Sequence, residues 1–139
     1  MITVPLASER LAILEDDESI NKEHSNFDWD QFKKTGDEKF CPCKEGGRLA
    51  KFKIAPLAVR AYEQVMNLRD KPTSLAWEAV ALGLVSSDGF FVGGIEAQWK
   101  RHKVNGLWRL TEESMERNFK PSVYYELSGR IMEISSLDF

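Results

Sequence analysis

This sequence of 139 residues contains no long apolar run. Its apolar stretches all fall far short of the roughly 20 residues that a membrane-spanning helix needs. Near the start of the chain, Pro5, Glu9 and Arg10 occupy the positions where a secretory signal peptide would have its apolar region. We therefore expect a cytoplasmic protein that makes no contact with a membrane.

Cysteine is scarce as well: there are two, Cys41 and Cys43, separated by Pro42 alone. A disulfide at this spacing would be badly strained, which argues against a disulfide framework and an oxidising compartment. With His24 or His102 the thiols would give at most a partial zinc shell, and Cys-x-Cys differs from the Cys-x2-Cys of structural zinc sites. The sequence therefore predicts no metal and no cofactor, and we expect both cysteines to act as small apolar residues.

Motifs of catalysis are missing too. The glycines of residues 45–48 lack the lysine of a phosphate-binding loop, and residues 93–94 lack the dinucleotide-binding pattern. No serine lies in a Gly-x-Ser-x-Gly motif, and the densest acidic run, residues 15–18, lies where solvent would screen its charges. The sequence thus predicts that the protein is not an enzyme.

Charged and aromatic residues are plentiful but unevenly placed. Residues 1–38 carry ten acidic and four basic side chains, a net charge of −6, whereas the whole chain is at −3. We predict an acidic N-terminal arm over residues 1–38, either solvated or docked on a basic partner, followed by a single domain over residues 39–139. The 8 Phe, 4 Trp and 3 Tyr residues need a core or a partner to cover them.

The arm has two apolar patches in an otherwise polar sequence. Ser8 is a suitable N-cap for a short helix that ends at Leu14. Phe27, Trp29 and Phe32 are predicted to anchor a mostly extended arm on the domain.

Strand and helix patterns divide the rest of the chain. Glycine-containing turns predict two hairpins, residues 39–43 with 48–55 across Gly46 and Gly47, and residues 98–104 with 107–110 across Asn105 and Gly106. Helical spacing predicts helices over residues 56–68, from Thr73 or Ser74 to a turn at residues 86–89, over residues 111–119, and from Pro121 onward. Residues 90–92 have strand character. The predicted fold class is α+β, a small antiparallel sheet from residues 39–55 and 90–110 beside three or four helices.

The second hairpin is both basic and aromatic. Residues 99–103, Trp-Lys-Arg-His-Lys, and the pair Trp108 and Arg109 combine cations with rings and include no acid, which suits phosphate contact and base stacking. Trp and Arg also dominate the hot spots of protein interfaces. Both surfaces stay open at this point, but the acidic arm would repel a polyanion, so we expect a protein partner rather than nucleic acid.

From residue 51 onward, several features follow one another in a characteristic order. Residues 52–54 form a strand that leads into Pro56 and a helix, and the apolar residues 79–85 then run into residues 86–90, Ser-Ser-Asp-Gly-Phe. A polar segment at residues 110–113 and a terminal helix complete the order. In this respect residues 50–137 resemble small tail-morphogenesis proteins of tailed bacteriophages, often labelled tail assembly chaperones.

The resemblance implies a non-enzymatic assembly factor of the phage tail, or a small virion structural component, in the cytoplasm of the host cell or in the virion. Its partner would be a tail or other virion protein, with self-association as an open alternative, held on an apolar and aromatic surface. A small inhibitor of a host protein and a nucleic-acid-binding protein using residues 98–110 are the alternative functions. The residues predicted to contact the partner are Trp77, Phe90, Phe91, Trp99, Lys100, Arg101, Trp108 and Arg109.

Overall fold

The structure, a computed structural model, describes residues 9–137 and confirms the α+β fold class. Five α-helices lie within these residues: α1 Trp29–Thr35, α2 Val59–Met66, α3 Pro72–Gly83, α4 Glu112–Arg117 and α5 Pro121–Leu137. Seven short strands accompany them: β1 Arg10–Ile13, β2 Lys51–Ile54, β3 Leu84–Asp88, β4 Phe91–Val92, β5 Ile95–Glu96, β6 Arg101–Val104 and β7 Leu107–Leu110. The strands are divided among three separate antiparallel sheets. No helix among residues 9–137 is long and apolar enough to cross a bilayer.

The main sheet has the strand order β1-β2-β3, and both pairings are antiparallel. In the central strand β2, Phe52 and Ile54 are buried and alternate with the more exposed Lys51 and Lys53, as the sequence predicts. This period of two turns one face of the strand into the core.

The helix predicted from Ser8 to Leu14 is wrong. Residues 10–13 form β1, and Ser8 itself lies outside the described residues. Pairing with β2 gives this strand its backbone partners, and the side chains of Ala12 and Ile13 become fully buried. Helix propensities differ by less than about 1 kcal/mol per residue, so local preference is weak. The pairing and burial of this segment therefore outweigh its N-cap pattern.

The hairpin predicted across Gly46 and Gly47 is also wrong, although the chain does turn there. The segment before the turn forms a short 3-10 helix and a single bridge from Cys43 to Ile20. The strand β2 pairs with β1 on one side and β3 on the other, so it has no free edge left for residues 39–43.

The turn predicted over residues 86–89 is present only at Gly89, where φ is +76°. The helix α3 ends at Gly83, and β3 follows at once and pairs with β2. Gly83 is also a point of close approach between α3 and α5, because a Cβ there would lie 2.5 Å from Cγ2 of Ile131. The absence of a side chain at Gly83 therefore allows the two helices to touch.

The hairpin predicted across Asn105 and Gly106 is confirmed by the pairing of β6 with β7. Both turn residues have positive φ, +52° for Asn105 and +82° for Gly106, as a type I′ turn requires. The strands β4 and β5 form a smaller hairpin around Gly93 and Gly94.

Two apolar clusters fill the described part of the fold. The larger one packs α2, α3 and α5 against the main sheet, with Phe52, Tyr124 and Ile131 among its fully buried members. The smaller one consists of Ile13, Ile20, Phe32, Cys41 and Leu49, with Phe27 and Trp29 packed against it. The three aromatic residues predicted to anchor the arm thus belong to the smaller cluster.

Arg130 of α5 joins the two clusters. Its guanidinium is buried, donates a hydrogen bond to the Ile13 carbonyl at 3.1 Å, and lies 5.4 Å and 5.6 Å from the ring centroids of Trp29 and Phe32. Burial lowers the pKa of Arg130, and the charges of acidic neighbours such as Glu126 oppose that effect. The described part of residues 1–38 therefore packs on the rest of the fold, and the division at residue 38 stays a prediction.

Candidate functional site

An apolar groove of about 250 Å³ lies between the first turns of α3 and α5. Its lining is uncharged and mostly aromatic: Thr73, Ala76, Trp77, Phe119, Pro121, Tyr124 and Tyr125. Both helices begin at this groove with a proline, Pro72 and Pro121, whose fixed φ suits the first helical position. The two helix N-termini, each starting with a proline, therefore position the aromatic residues that follow them.

Three rings packed against one another form the floor of the groove and one side of its rim. The ring of Trp77 lies 5.7 Å from Phe119 and 6.0 Å from Tyr124, and Phe119 meets Tyr124 edge to face at 5.1 Å, all between centroids. The Tyr124 hydroxyl donates to the Met115 carbonyl at 2.7 Å, and burial raises the pKa of Tyr124. Tyr124 thus acts as a neutral donor that holds the floor in place.

The rim of the groove is exposed. Phe119 and Tyr125 keep 41% and 47% of their surface accessible, although both are large aromatic residues. The hydroxyls of Thr73 and Tyr125 are 2.7 Å apart and form a hydrogen bond across the mouth. An apolar side chain of another molecule would therefore meet ring faces and two hydroxyl groups.

The end of the groove carries positive partial charge. Two helix N-termini meet there, and neither first turn contains an acidic residue. The N-cap position of α3 is Lys71, which makes no side-chain capping bond. Glu78 and Glu126 directly follow the lining residues Trp77 and Tyr125 in the sequence, but neither lines the groove, and Glu78 is bound to Arg109. The groove is thus apolar with an electropositive end.

The arginines of the predicted basic hairpin have partners within the protein. Arg109 forms two hydrogen bonds with the Glu78 carboxylate of α3, at 2.6 Å and 3.1 Å. Burial alone raises the pKa of Glu78, but hydrogen bonds from Arg109 and Gln64 outweigh it and hold that pKa below its usual value. Arg101 donates to the Leu84 carbonyl at 2.6 Å, and burial lowers its pKa.

The other residues predicted to contact a partner are scattered. Trp99 is half-buried and donates to the Ser87 hydroxyl at 2.8 Å, and Phe90 is buried against Phe52. Three more are exposed in different places: Phe91 on β4, Lys100 just before β6, and Trp108 on β7. Trp77 is the one predicted residue that lines the groove, and sequence reasoning missed its companions Phe119, Tyr124 and Tyr125.

The prolines before two helices were the available sequence signal for the groove. Pro72 and Pro121 each place an aromatic residue within the next five positions, at Trp77 and at Tyr124 and Tyr125. Because the sequence does not show that the two helix starts lie side by side, the convergence is visible only in the structure.

The two cysteines are reduced and differ in environment. Cys41 is buried, which raises the pKa of its thiol to about 11, whereas Cys43 is exposed. Residues 9–137 contain no group of three or more His, Cys, Asp and Glu side chains placed to hold a metal ion.

Comparison of the chain with protein-family models, with curated proteins and with solved structures returns no match. The resemblance of residues 50–137 to phage tail proteins therefore rests on the order of features in the sequence. The site itself is defined by the geometry of the groove.

Proposed function

We propose that this chain is a non-enzymatic protein-binding factor that holds an apolar side chain of a partner in the groove between α3 and α5. The observation that carries the proposal is the exposure of Phe119 and Tyr125 on either side of an uncharged aromatic groove. Large apolar residues that stay exposed around a concavity mark sites of protein interaction.

The size of the groove favours a side chain over a cofactor. Small-molecule sites usually enclose about 300–1,000 Å³, and this groove is smaller than that range. The rings of Trp77, Phe119 and Tyr124 already pack against one another in tilted and edge-to-face contacts, which reduces the conformational entropy lost when a partner docks.

The occupant that fits is an apolar segment of a partner protein with an acidic residue beside its buried side chain. The apolar lining would cover the buried side chain, and the helix N-termini at the end of the groove favour a nearby carboxylate. The resemblance to tail assembly chaperones supplies the class of partner, a tail or other virion protein whose apolar segment is shielded before assembly.

Nucleic-acid binding through residues 98–110 is the weaker candidate. Arg101 and Arg109 are occupied by Leu84 and Glu78, so Lys100 and Lys103 are the cations of that segment without such contacts to the fold. Two phosphate contacts would give a log–log salt slope of only about −1.4 on single strands.

A capture experiment with matched variants tests the proposal. The variant Phe119→Ser with Tyr125→Ser removes both rim rings, and Phe91→Ser removes an aromatic residue that is similarly exposed, at 45%, but outside the groove. Each tagged protein is used to capture partners from producing cells, and the captured proteins are identified by mass spectrometry. We expect a tail or virion protein with wild type and Phe91→Ser, and its loss with the double variant.

Equal capture by all three proteins would overturn the groove as the docking site. Capture of no tail or virion protein by the wild type at any stage of production would overturn the assignment to phage assembly. Circular dichroism of the double variant checks that the fold is retained, and the single variant Tyr125→Ser, which leaves the packed ring of Phe119 in place, repeats the capture test if it is not.

A further inference from the structure

The residues that directly follow α5 carry the chemistry that the groove requires of its occupant. The helix ends at Leu137, and Asp138 and Phe139 come next in the sequence. They combine a large apolar side chain with an adjacent acid. Residues 1–8, which also lie outside the described range, are mostly apolar but contain no acid. Asp138 and Phe139 therefore fit the groove better than the other undescribed part of the chain.

These two residues are too far from the groove of their own molecule to enter it. The groove lies at the first turn of α5, where Tyr125 is the lining residue nearest in sequence to the end of that helix. The helix rises about 18 Å from Tyr125 to Leu137, whereas two residues extend the chain by about 7 Å at most. An occupant formed by Asp138 and Phe139 must therefore come from a second copy of the chain.

The size and lining of the groove suit the ring of Phe139. An apolar cavity of about 150 Å³ can hold benzene, and the groove measures about 250 Å³. Its aromatic side chains Trp77, Tyr124 and Tyr125 offer ring contacts that add to the burial of apolar surface. A phenyl ring thus has both the room and the partners that it needs.

Positive charges beside the groove suit Asp138. Lys71 occupies the N-cap position of α3, and Lys120 directly precedes Pro121, the first residue of α5. Both lysines are exposed, and the ammonium of Lys120 lies 6.0 Å from the centroid of the Phe90 ring. Together with the two helix N-termini, the lysines favour a carboxylate at this end of the groove.

The acids near the groove limit this charge effect. Glu78 is bound to an arginine of β7, and Glu126 accepts a hydrogen bond from the backbone amide of Glu15 at 2.6 Å. Asp70 and Glu116 are exposed and offset part of the charge of the neighbouring lysines. The apolar ring should therefore supply most of the affinity, and the carboxylate a smaller share.

We propose that Asp138 and Phe139 form a docking segment that binds in the groove of a second copy of the chain. This inference rests on the proposed function, since it takes the groove as a site for an apolar side chain with an adjacent acid. The groove and the docking segment lie at opposite ends of α5, so the contact is head-to-tail and can repeat from copy to copy. A partner protein that binds the same groove would displace the docking segment.

The self-association of the full chain tests this contact. Sedimentation velocity over a range of protein concentrations measures it for the wild type and for each variant. Phe139→Ser should weaken association at least about tenfold, because it removes the ring that the contact buries. Asp138→Asn should weaken it about twofold, as the loss of an exposed charge near a helix N-terminus does. Phe91→Ser, which removes an exposed ring outside the groove, should leave it unchanged.

Mixing two defective variants tests the head-to-tail arrangement. Phe139→Ser keeps the groove, and Phe119→Ser with Tyr125→Ser keeps the docking segment. Neither should associate alone, but their equimolar mixture should form a pair and nothing longer. If the double variant does not fold, Thr73→Glu replaces it, because an acid in the first turn favours the helix and repels Asp138.

Several results would overturn the proposal. Equal self-association by wild type and Phe139→Ser would place the contact elsewhere, and a wild type that stays monomeric up to about 1 mM would remove it. A mixture of the two defective variants that forms no pair would exclude the head-to-tail contact. An NMR signal of the Trp77 indole that is independent of protein concentration, but changes in Val4→Ser with Leu6→Ser, would assign the groove to residues 1–8 of the same molecule.

Self-association and partner capture distinguish this proposal from the proposed function. If the wild type is monomeric but the groove variants lose capture of a virion protein, the docking segment is wrong and the proposed function is supported. If the chain self-associates through Phe139 but captures no virion protein, the docking segment is supported and the proposed function is wrong.

Discussion

The two ends of the α3–α5 pair differ in what lies between the helices. At Gly83 the helices touch, because the position has no side chain and Ile131 fills the space beside it. At their first turns they leave room for the groove, which Thr73 and Tyr125 bridge with a hydroxyl contact of 2.7 Å. One helix pair thus supplies tight packing at one end and an open aromatic surface at the other. Stability and partner binding should therefore be separable by mutation along it.

The largest effect is expected at the closed end. Ile131→Ala removes a fully buried side chain from the contact with α3 and should lower the free energy of unfolding by about 2–5 kcal/mol. Ile95→Ala, at a position 73% exposed, should change it by less than about 0.5 kcal/mol. Urea unfolding followed by circular dichroism measures both, and equal losses would contradict the packing described for Ile131.

Adding a single methyl group at the contact tests how tight it is. Gly83→Ala places a Cβ against Ile131 and should destabilise the fold by about 1–3 kcal/mol through overpacking. Combining it with Ile131→Ala, which removes the Cγ2 and Cδ1 atoms that the new Cβ would meet, should cost less than the sum of the two single changes. A double-mutant cycle that is additive within about 0.5 kcal/mol would show that the two positions do not touch.

Glu78 is on α3 between the two ends, and its contribution depends on pH. The pKa of its carboxyl is lowered in the folded protein, so the stabilisation is present above the unfolded value of 4.5 and is lost as pH falls through the folded value. Glu78→Gln should destabilise the protein by about 1–2 kcal/mol at pH 7 and reduce the acid dependence of unfolding. Glu113→Gln, in an exposed pair with Arg117, should do neither. If the free energy of unfolding of Glu78→Gln fell with decreasing pH as steeply as that of the wild type, the assignment to Glu78 would be contradicted.

The smallest effect on stability is expected at the open end. Tyr125→Phe removes the hydroxyl that meets Thr73 but keeps the exposed ring, so the free energy of unfolding should change by less than about 0.5 kcal/mol. Partner capture should be retained in Tyr125→Phe, since the ring still covers the apolar side chain. A loss above about 1 kcal/mol would mean that the mouth of the groove is as tightly held as its closed end.

Local chemistry predicted some elements and not others. The hairpin at Asn105 and Gly106 was predictable because both turn residues and both strands lie within a short stretch of chain. The pairing of β2 was not, because its neighbours β1 and β3 lie some thirty to forty residues away in the sequence. The residues around Gly46 and Gly47 have equally suitable turn chemistry, but long-range pairing decided their structure.

The candidate site was predictable only in part, because exposure depends on the surrounding fold. Trp77, Trp99 and Phe90 are equivalent as aromatic residues in the sequence, yet Phe90 is buried against Phe52 and Trp99 is bonded to Ser87. The exposed rim of the groove arises where the first turns of α3 and α5 lie side by side, and no local pattern encodes that arrangement. Likewise, Arg101 and Arg109 were predicted to contact a partner. Instead they hold the hairpin on the fold, because β3 supplies the Leu84 carbonyl and α3 supplies the Glu78 carboxylate.

Arg130 has a consequence for how the molecule unfolds. It is shared by both apolar clusters, through the carbonyl of Ile13, the rings of Trp29 and Phe32, and its own position on α5. If either cluster lost its packing, the buried guanidinium of Arg130 would remain without its partners, which is unfavourable in an apolar surrounding. The acidic N-terminal region and the helical core should therefore lose their structure together, as one cooperative unit in hydrogen exchange, despite the sharp change in charge between them.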